Sequence, residues 1–185
     1  MWLASNDGSS KHLIVPSRDE DEFYGMAFSA DGGMLYYVDD QHTSFELRVL
    51  DLSTLEEGIA LPESELLVKD EQPISVTASP FTEGLLTYRV GTCDAGFTSF
   101  VREGTSETKV GGRLGDTQPY GWLPDDRLLL ASTADLCDPQ RALDLHVVDG
   151  ERVTLLVEDV SQAAVRGVVP DAPDPVSGPV GDSPE

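Results

Sequence analysis

The sequence predicts an all-β protein built from repeated four-stranded units, and three observations carry that prediction. Short apolar segments recur down the chain, each closed by a turn rich in Asp, Gly or Pro. Their order repeats at steps of 50 residues, from Phe28 to Ala78, and 44 residues, from Ala78 to Trp122. No segment holds a helical period over about ten residues or more.

The elements follow in order. Trp2-Leu3-Ala4-Ser5, a turn at Asn6-Asp7-Gly8-Ser9 and His12-Leu13-Ile14-Val15 form a hairpin matching the last two strands of a unit. The chain therefore enters in mid-unit, with a partial unit at about residues 1–17. The first full unit, about 23–70, opens with Tyr24-Gly25-Met26-Ala27-Phe28-Ser29 and the turn Ala30-Asp31-Gly32-Gly33. Met34-Leu35-Tyr36-Tyr37-Val38 and Phe45-Glu46-Leu47-Arg48-Val49-Leu50-Asp51-Leu52 follow, then a weaker strand after the turn ending at Gly58.

The second unit, about 73–112, has strands at Ile74 to Ser79, Leu85 to Val90, Phe97 to Glu103 and near Val110. The third, about 119–158, has them at Tyr120 to Leu123, Arg127 to Ser132, Leu143 to Asp149 and Val153 to Val157. Ala163 to Val169 reads as one extra strand, at about 160–169. Five prolines between Pro170 and Pro184 mark 170–185 as a disordered tail rich in Pro, Gly and Asp. Four-stranded units at about 40–50 residues are blades of a β-propeller. The expectation is about three complete blades plus the partial N-terminal one, in an incomplete ring.

Phe28-Ser29-Ala30-Asp31-Gly32-Gly33-Met34-Leu35 resembles the WD40-like PD40 repeat of TolB-type propellers: an aromatic, Ser-Pro-Asp-Gly-Lys, then an apolar strand. Trp122-Leu123-Pro124-Asp125-Asp126-Arg127-Leu128 is similar, with Asp126 where the repeat has Gly, and Ala78-Ser79-Pro80 is a degenerate copy. The resemblance covers roughly residues 1–160 and implies fold only. The family has scaffold, sensor and peptidase-gating members, and leads one to expect six or seven blades. An arc of three and a half blades leaves two apolar faces open. It is a fragment of a larger ring, a small closed ring, or an arc completed by self-association with another copy.

Charge excludes whole classes of partner. Twelve basic against 34 acidic residues give a net charge of −22, and only Lys11, Lys69 and Lys109 are lysines. Such a surface repels phosphate backbones and anionic lipid, so neither nucleic-acid binding nor membrane insertion is expected. No apolar run approaches the roughly 18 residues of a transmembrane helix, and Met1 to Asp7 does not read as a secretory signal. The acids are spread, with Asp19-Glu20-Asp21-Glu22 the densest run, as in a solvated acidic surface.

Cys93 and Cys137 fall at equivalent places, each in the loop between the second and third strands of successive blades, and each is followed by Asp. Side-by-side blades would bring the loops together, so a structural disulfide is the expectation, with an oxidising, extracytoplasmic compartment. Two unrelated free thiols are the plain alternative. His146 between Leu145 and Val147 reads as a structural strand residue. His12 is isolated, and His42, beside Asp39 and Asp40, reads as a solvated loop residue rather than a cation ligand.

Asp31, Asp125 and Asp126 recur blade by blade, which points to turns rather than acid catalysis. Trp2, Tyr24, Phe28, Tyr36, Tyr37 and Trp122 are expected to pack between blades. There is no Gly-x-Ser-x-Gly elbow, phosphate loop or His-Glu-x-x-His, so no catalytic residue, metal site or cofactor is assigned. The expected function is a non-catalytic propeller scaffold binding a protein or small molecule. The alternative is the propeller portion of an enzyme, as a hydrolase gate or a cation-dependent lactonase.

Overall fold

The computed structural model describes residues 2–4, 8–13, 22–40, 45–61 and 73–161. Among them are fourteen strands and no helix. The hairpin β1 (Trp2–Ala4) and β2 (Lys11–Leu13) precedes three antiparallel four-stranded sheets. Blade 1 is β3 (Glu22–Phe28), β4 (Met34–Asp40), β5 (Phe45–Asp51) and β6 (Glu57–Leu61). Blade 2 is β7 (Pro73–Ala78), β8 (Leu85–Thr92), β9 (Gly96–Glu103) and β10 (Ser106–Val110). Blade 3 is β11 (Asp116–Trp122), β12 (Leu128–Thr133), β13 (Leu143–Asp149) and β14 (Arg152–Val160). Every sheet is a meander in chain order, and the arc is open.

Local chemistry explains the turns. Asp31 accepts hydrogen bonds from Ser29 Oγ at 2.7 Å and Gly33 N at 2.8 Å, and Gly32 takes φ 73°. Those bonds hold the Asp31 carboxyl below its ordinary pKa, the Ser29 bond most strongly. Asp51 is lowered in the same way by Ser53 and Thr54. β11 begins at Asp116 rather than at the expected Tyr120, and it takes in Pro119, which sits beside a register shift to Gly121. A proline is tolerated at such an irregularity because it has no ladder N–H to lose. His42 and the expected extra strand from 162 onward, with the tail, lie outside the described residues.

Alternation along each strand sends one face to the blade before and one to the blade after. Tyr36, Val38, Leu47 and Leu61 of blade 1 pack against Val76, Leu86, Tyr88, Val90 and Phe100 of blade 2. Tyr88 and Phe100 stack with ring centroids 5.5 Å apart. Gly25, at φ 51°, lets the inner strands meet: a Cβ there would lie 2.7 Å from Val76 N. Between blades 2 and 3, Leu85 and Val110 pack on Trp122, Leu128, Leu130 and Val148. Each such side chain contributes about 1.5–3 kcal/mol on full burial, so these two seams hold the sheets in place.

The remaining face of blade 1 carries Leu35, Tyr37 and Leu50, covered by Leu3 of the hairpin. Arg48 on this blade pairs with Asp39 at 3.0 Å, Glu46 at 2.6 Å and Glu57 at 3.3 Å, and Tyr37 Oη donates to Glu57.

Among the described side chains two aromatics depart from the expected packing; that of Tyr24 lies outside them. Trp2 is 56% exposed and Phe28 48%, whereas Tyr36, Tyr37 and Trp122 are buried. Phe28 and Trp122 hold the same place in the repeat. Trp122 has a four-stranded sheet ahead of it; the described sheet ahead of Phe28 has two strands.

Candidate functional site

The seam between blades 2 and 3 brings together four of the residues that the sequence singled out: Cys93, Cys137, Trp122 and Asp126. At one end, Cys93 and Cys137 are joined in a disulfide, with Cα atoms 5.7 Å apart, inside the range such bonds require. The loops that carry them connect β8 to β9 and β12 to β13. Asp116, at the start of β11, ties the same loops a second time. Its Oδ1 accepts Phe97 N at 2.8 Å and its Oδ2 accepts Leu136 N at 2.8 Å. Next along β11, Thr117 Oγ1 accepts Ser99 N at 2.9 Å, and both residues are buried.

Arg89 of blade 2 lies inside this end of the seam, its guanidinium 4.9 Å from the Phe97 ring centre. Its Nη1 reaches Gln118 Oε1 at 3.4 Å, a long contact. Burial, and then the like charge of Arg141, pull its pKa down, while Asp116 opposes them.

At the other end, the turn of blade 3 grips the turn of blade 2. Asp126 accepts Ser79 Oγ at 2.6 Å and Thr82 Oγ1 at 2.5 Å. Ser79 is fully buried, and its Oγ also accepts Phe81 N and Thr82 N. Asp126 sits at φ 57°, where the first repeat has Gly32. Asp125 and Asp126, both expected as turn acids, therefore play different parts. Asp125 makes an exposed local pair with Arg127 Nε at 2.7 Å, whereas Asp126 reaches across to another blade.

Beside that contact the seam opens into a cleft of about 380 Å³. Leu85, Val101, Val110, Trp122, Leu128 and Val148 form its apolar wall, and Glu103, Glu151 and Asp126 bring carboxylates to it. Trp122 keeps a buried indole Nε1–H with no hydrogen-bond partner. An apolar wall with carboxylates nearby suits a group that carries both hydrocarbon and positive charge.

His146 is held by a partner within its own blade. His146 is buried, with Nε2 2.9 Å from Ser132 Oγ, and burial lowers its pKa against the opposing charge of Asp144. His12 belongs to β2, far in sequence from the other two. No group of three or more His, Cys, Asp or Glu residues that could hold a metal ion occurs among the described residues. No described helix is long and apolar enough to cross a membrane.

Asp116 and the cleft carboxylates Glu103 and Glu151 escaped the sequence reading. The signal for Asp126 was present, as the one acid replacing a turn glycine. Glu103 and Glu151 each lie beside the glycine of a late turn, Gly104 and Gly150, an equivalence that only the paired blades make visible.

No family model matches the chain, and no curated protein matches it. Solved structures do. The chain is similar to TolB from Acinetobacter baumannii at 16% identity and a TM-score of 0.61, over 84% of this chain and 36% of that one. It is also similar to a putative TolB from Agrobacterium tumefaciens at 17% identity and a TM-score of 0.65, over 85% of this chain and 56% of that one. The fold is thus that of TolB-type propeller blades. The chain spans between about a third and somewhat over half of the length of these structures.

Proposed function

We propose that this chain is a non-catalytic, extracytoplasmic propeller module whose cleft between blades 2 and 3 binds a basic, partly apolar segment of a protein or small ligand. The cleft carries the proposal: an apolar pocket lined by Trp122, with Glu103 and Glu151 beside it. A chain with net charge −22 attracts cations at long range, and the carboxylates at the cleft would orient one at close range.

The distribution of polar groups supports a binding role. Asp31, Asp116 and Asp126, the acids best placed by the fold, all accept hydrogen bonds that hold turns or join blades. The disulfide supports an oxidising compartment.

Tryptophan fluorescence tests the cleft directly. The chain has two tryptophans, so Trp2→Phe leaves Trp122 as the sole reporter. Short peptides pairing Leu or Phe with Arg or Lys are expected to change its emission saturably. Glu103→Gln with Glu151→Gln should weaken that binding by about tenfold, equivalent to roughly 1.4 kcal/mol. Emission that is indifferent to every such peptide would contradict the proposal.

A further inference from the structure

The two ends of the arc expose matching surfaces. In the β1–β2 hairpin Trp2 pairs with Leu13 and Ala4 with Lys11, while Leu3 packs against blade 1. Alternation therefore turns Trp2, Leu13 and Lys11 to the face away from blade 1. Trp2 is 56% and Leu13 46% exposed, and Lys11 Nζ sits 4.6 Å from the Trp2 ring centre.

At the far end, β14 repeats β6. Both strands slip register at the same place, between Leu47 and Arg48 for β6 and between Leu145 and His146 for β14. Leu61 pairs with Leu47, and Val157 with Leu145, so Val157 is the counterpart of Leu61 and Leu156 of Ala60. Blade 2 covers Leu61, which is 2% exposed, and Ala60 packs in the same core. Their counterparts Leu156 and Val157 are 59% and 45% exposed, and the acids Glu158 and Asp159 follow directly.

We infer that a second copy of this chain covers this face, setting its β1–β2 hairpin against β14. Trp2 and Leu13 of one copy seat on Leu156 and Val157 of the other, and Lys11 meets Glu158 and Asp159. On β14 the contact uses the face whose counterpart on β6, at Ala60 and Leu61, already packs against the next blade. Charge selects this pairing: Lys11 is one of three lysines in a chain of net charge −22, and it stands on the hairpin's open face. Because the surfaces differ, the contact is head-to-tail, and two such contacts close a two-copy ring.

Sedimentation velocity over a concentration series is the test, with the disulfide intact. The wild-type chain, of 20.0 kDa, is expected to sediment as a two-copy species. Lys11→Glu should weaken association about tenfold or more, and Lys11→Glu combined with Glu158→Lys should restore it. Leu156→Asp, at an exposed site, should give monomers whose circular dichroism matches the parent and whose unfolding midpoint, unlike the parent's, does not rise with concentration. A wild-type monomer at about 100 µM, or an oligomer indifferent to Leu156→Asp, would overturn the inference. So would a double variant no tighter than Lys11→Glu alone. Trp122 emission reads cleft binding separately, so the two proposals can fail independently.

Discussion

Asp126 Oδ1 accepts the hydroxyl of Ser79 at 2.6 Å, across 47 residues of sequence and from one sheet to the next. With the Thr82 contact it makes one turn carboxylate the polar fastening of two blades. The residue holds φ 57° to do so, a conformation that costs an ordinary residue about 1–2 kcal/mol. Asp126→Ala should therefore destabilise by about 2 kcal/mol, through the loss of two hydrogen bonds to a charged acceptor. Asp126→Gly should cost about 1 kcal/mol less, because it relieves the backbone. Urea unfolding of both variants checks the order.

Gly25 tests the inner contact of blades 1 and 2. A methyl group there would meet Val76 N at 2.7 Å and Ser75 Cα at 2.8 Å, both backbone atoms that cannot step aside. Gly25→Ala should cost at least about 2 kcal/mol, read as a lowered denaturation midpoint. Gly32→Ala, with open space around its Cβ, should cost only its positive φ of 73°, about 1 kcal/mol.

The protonation of His146 gives a signed pH dependence. Burial, opposed by Asp144, holds the imidazole below its ordinary 6.5. As pH falls below that value the unfolded chain takes up a proton that the folded chain resists, so stability is lost with falling pH and complete above it. His146→Gln keeps a partner for Ser132 but cannot titrate. Comparing unfolding free energies at about pH 7.5 and about pH 5.5, the variant should lose less stability than the parent.

The disulfide closes a sequence separation of 44 residues, for which chain entropy gives about 4 kcal/mol as an upper figure. Cys93→Ser with Cys137→Ser should destabilise by about 2–4 kcal/mol. The loss should stay below the full figure if Asp116 still holds Phe97 and Leu136. Adding Asp116→Asn should then deepen the loss more than it does in the disulfide-bonded parent.

Much of this was legible in the sequence. Asp31-Gly32, the alternation of Leu47 and Val49, and the 50- and 44-residue steps all arise from local chemistry, and local chemistry is written in order along the chain. The pairing of Cys93 with Cys137 followed once the repeat was set, because equivalent loops of stacked sheets meet. What depends on the space between sheets was not legible. Asp126 looked like another turn acid, and its partners lie in a different blade. Trp2 and Phe28 looked like core, since hydrophobicity alone does not say whether a neighbouring sheet covers a residue. The cleft arises where Trp122, Val101 and Val148 leave a gap, a matter of side-chain volumes across three strands.

The central claim is that successive blades stand side by side and join at the Cys93–Cys137 seam. Tryptic mapping without reduction tests it most directly. Cleavage after Arg89, Arg102, Arg127 and Arg141 places Cys93 in the peptide 90–102 and Cys137 in 128–141. One mass for the two joined peptides is expected, splitting into both on reduction. Separate peptides, each alkylated in the native protein before reduction, would contradict it.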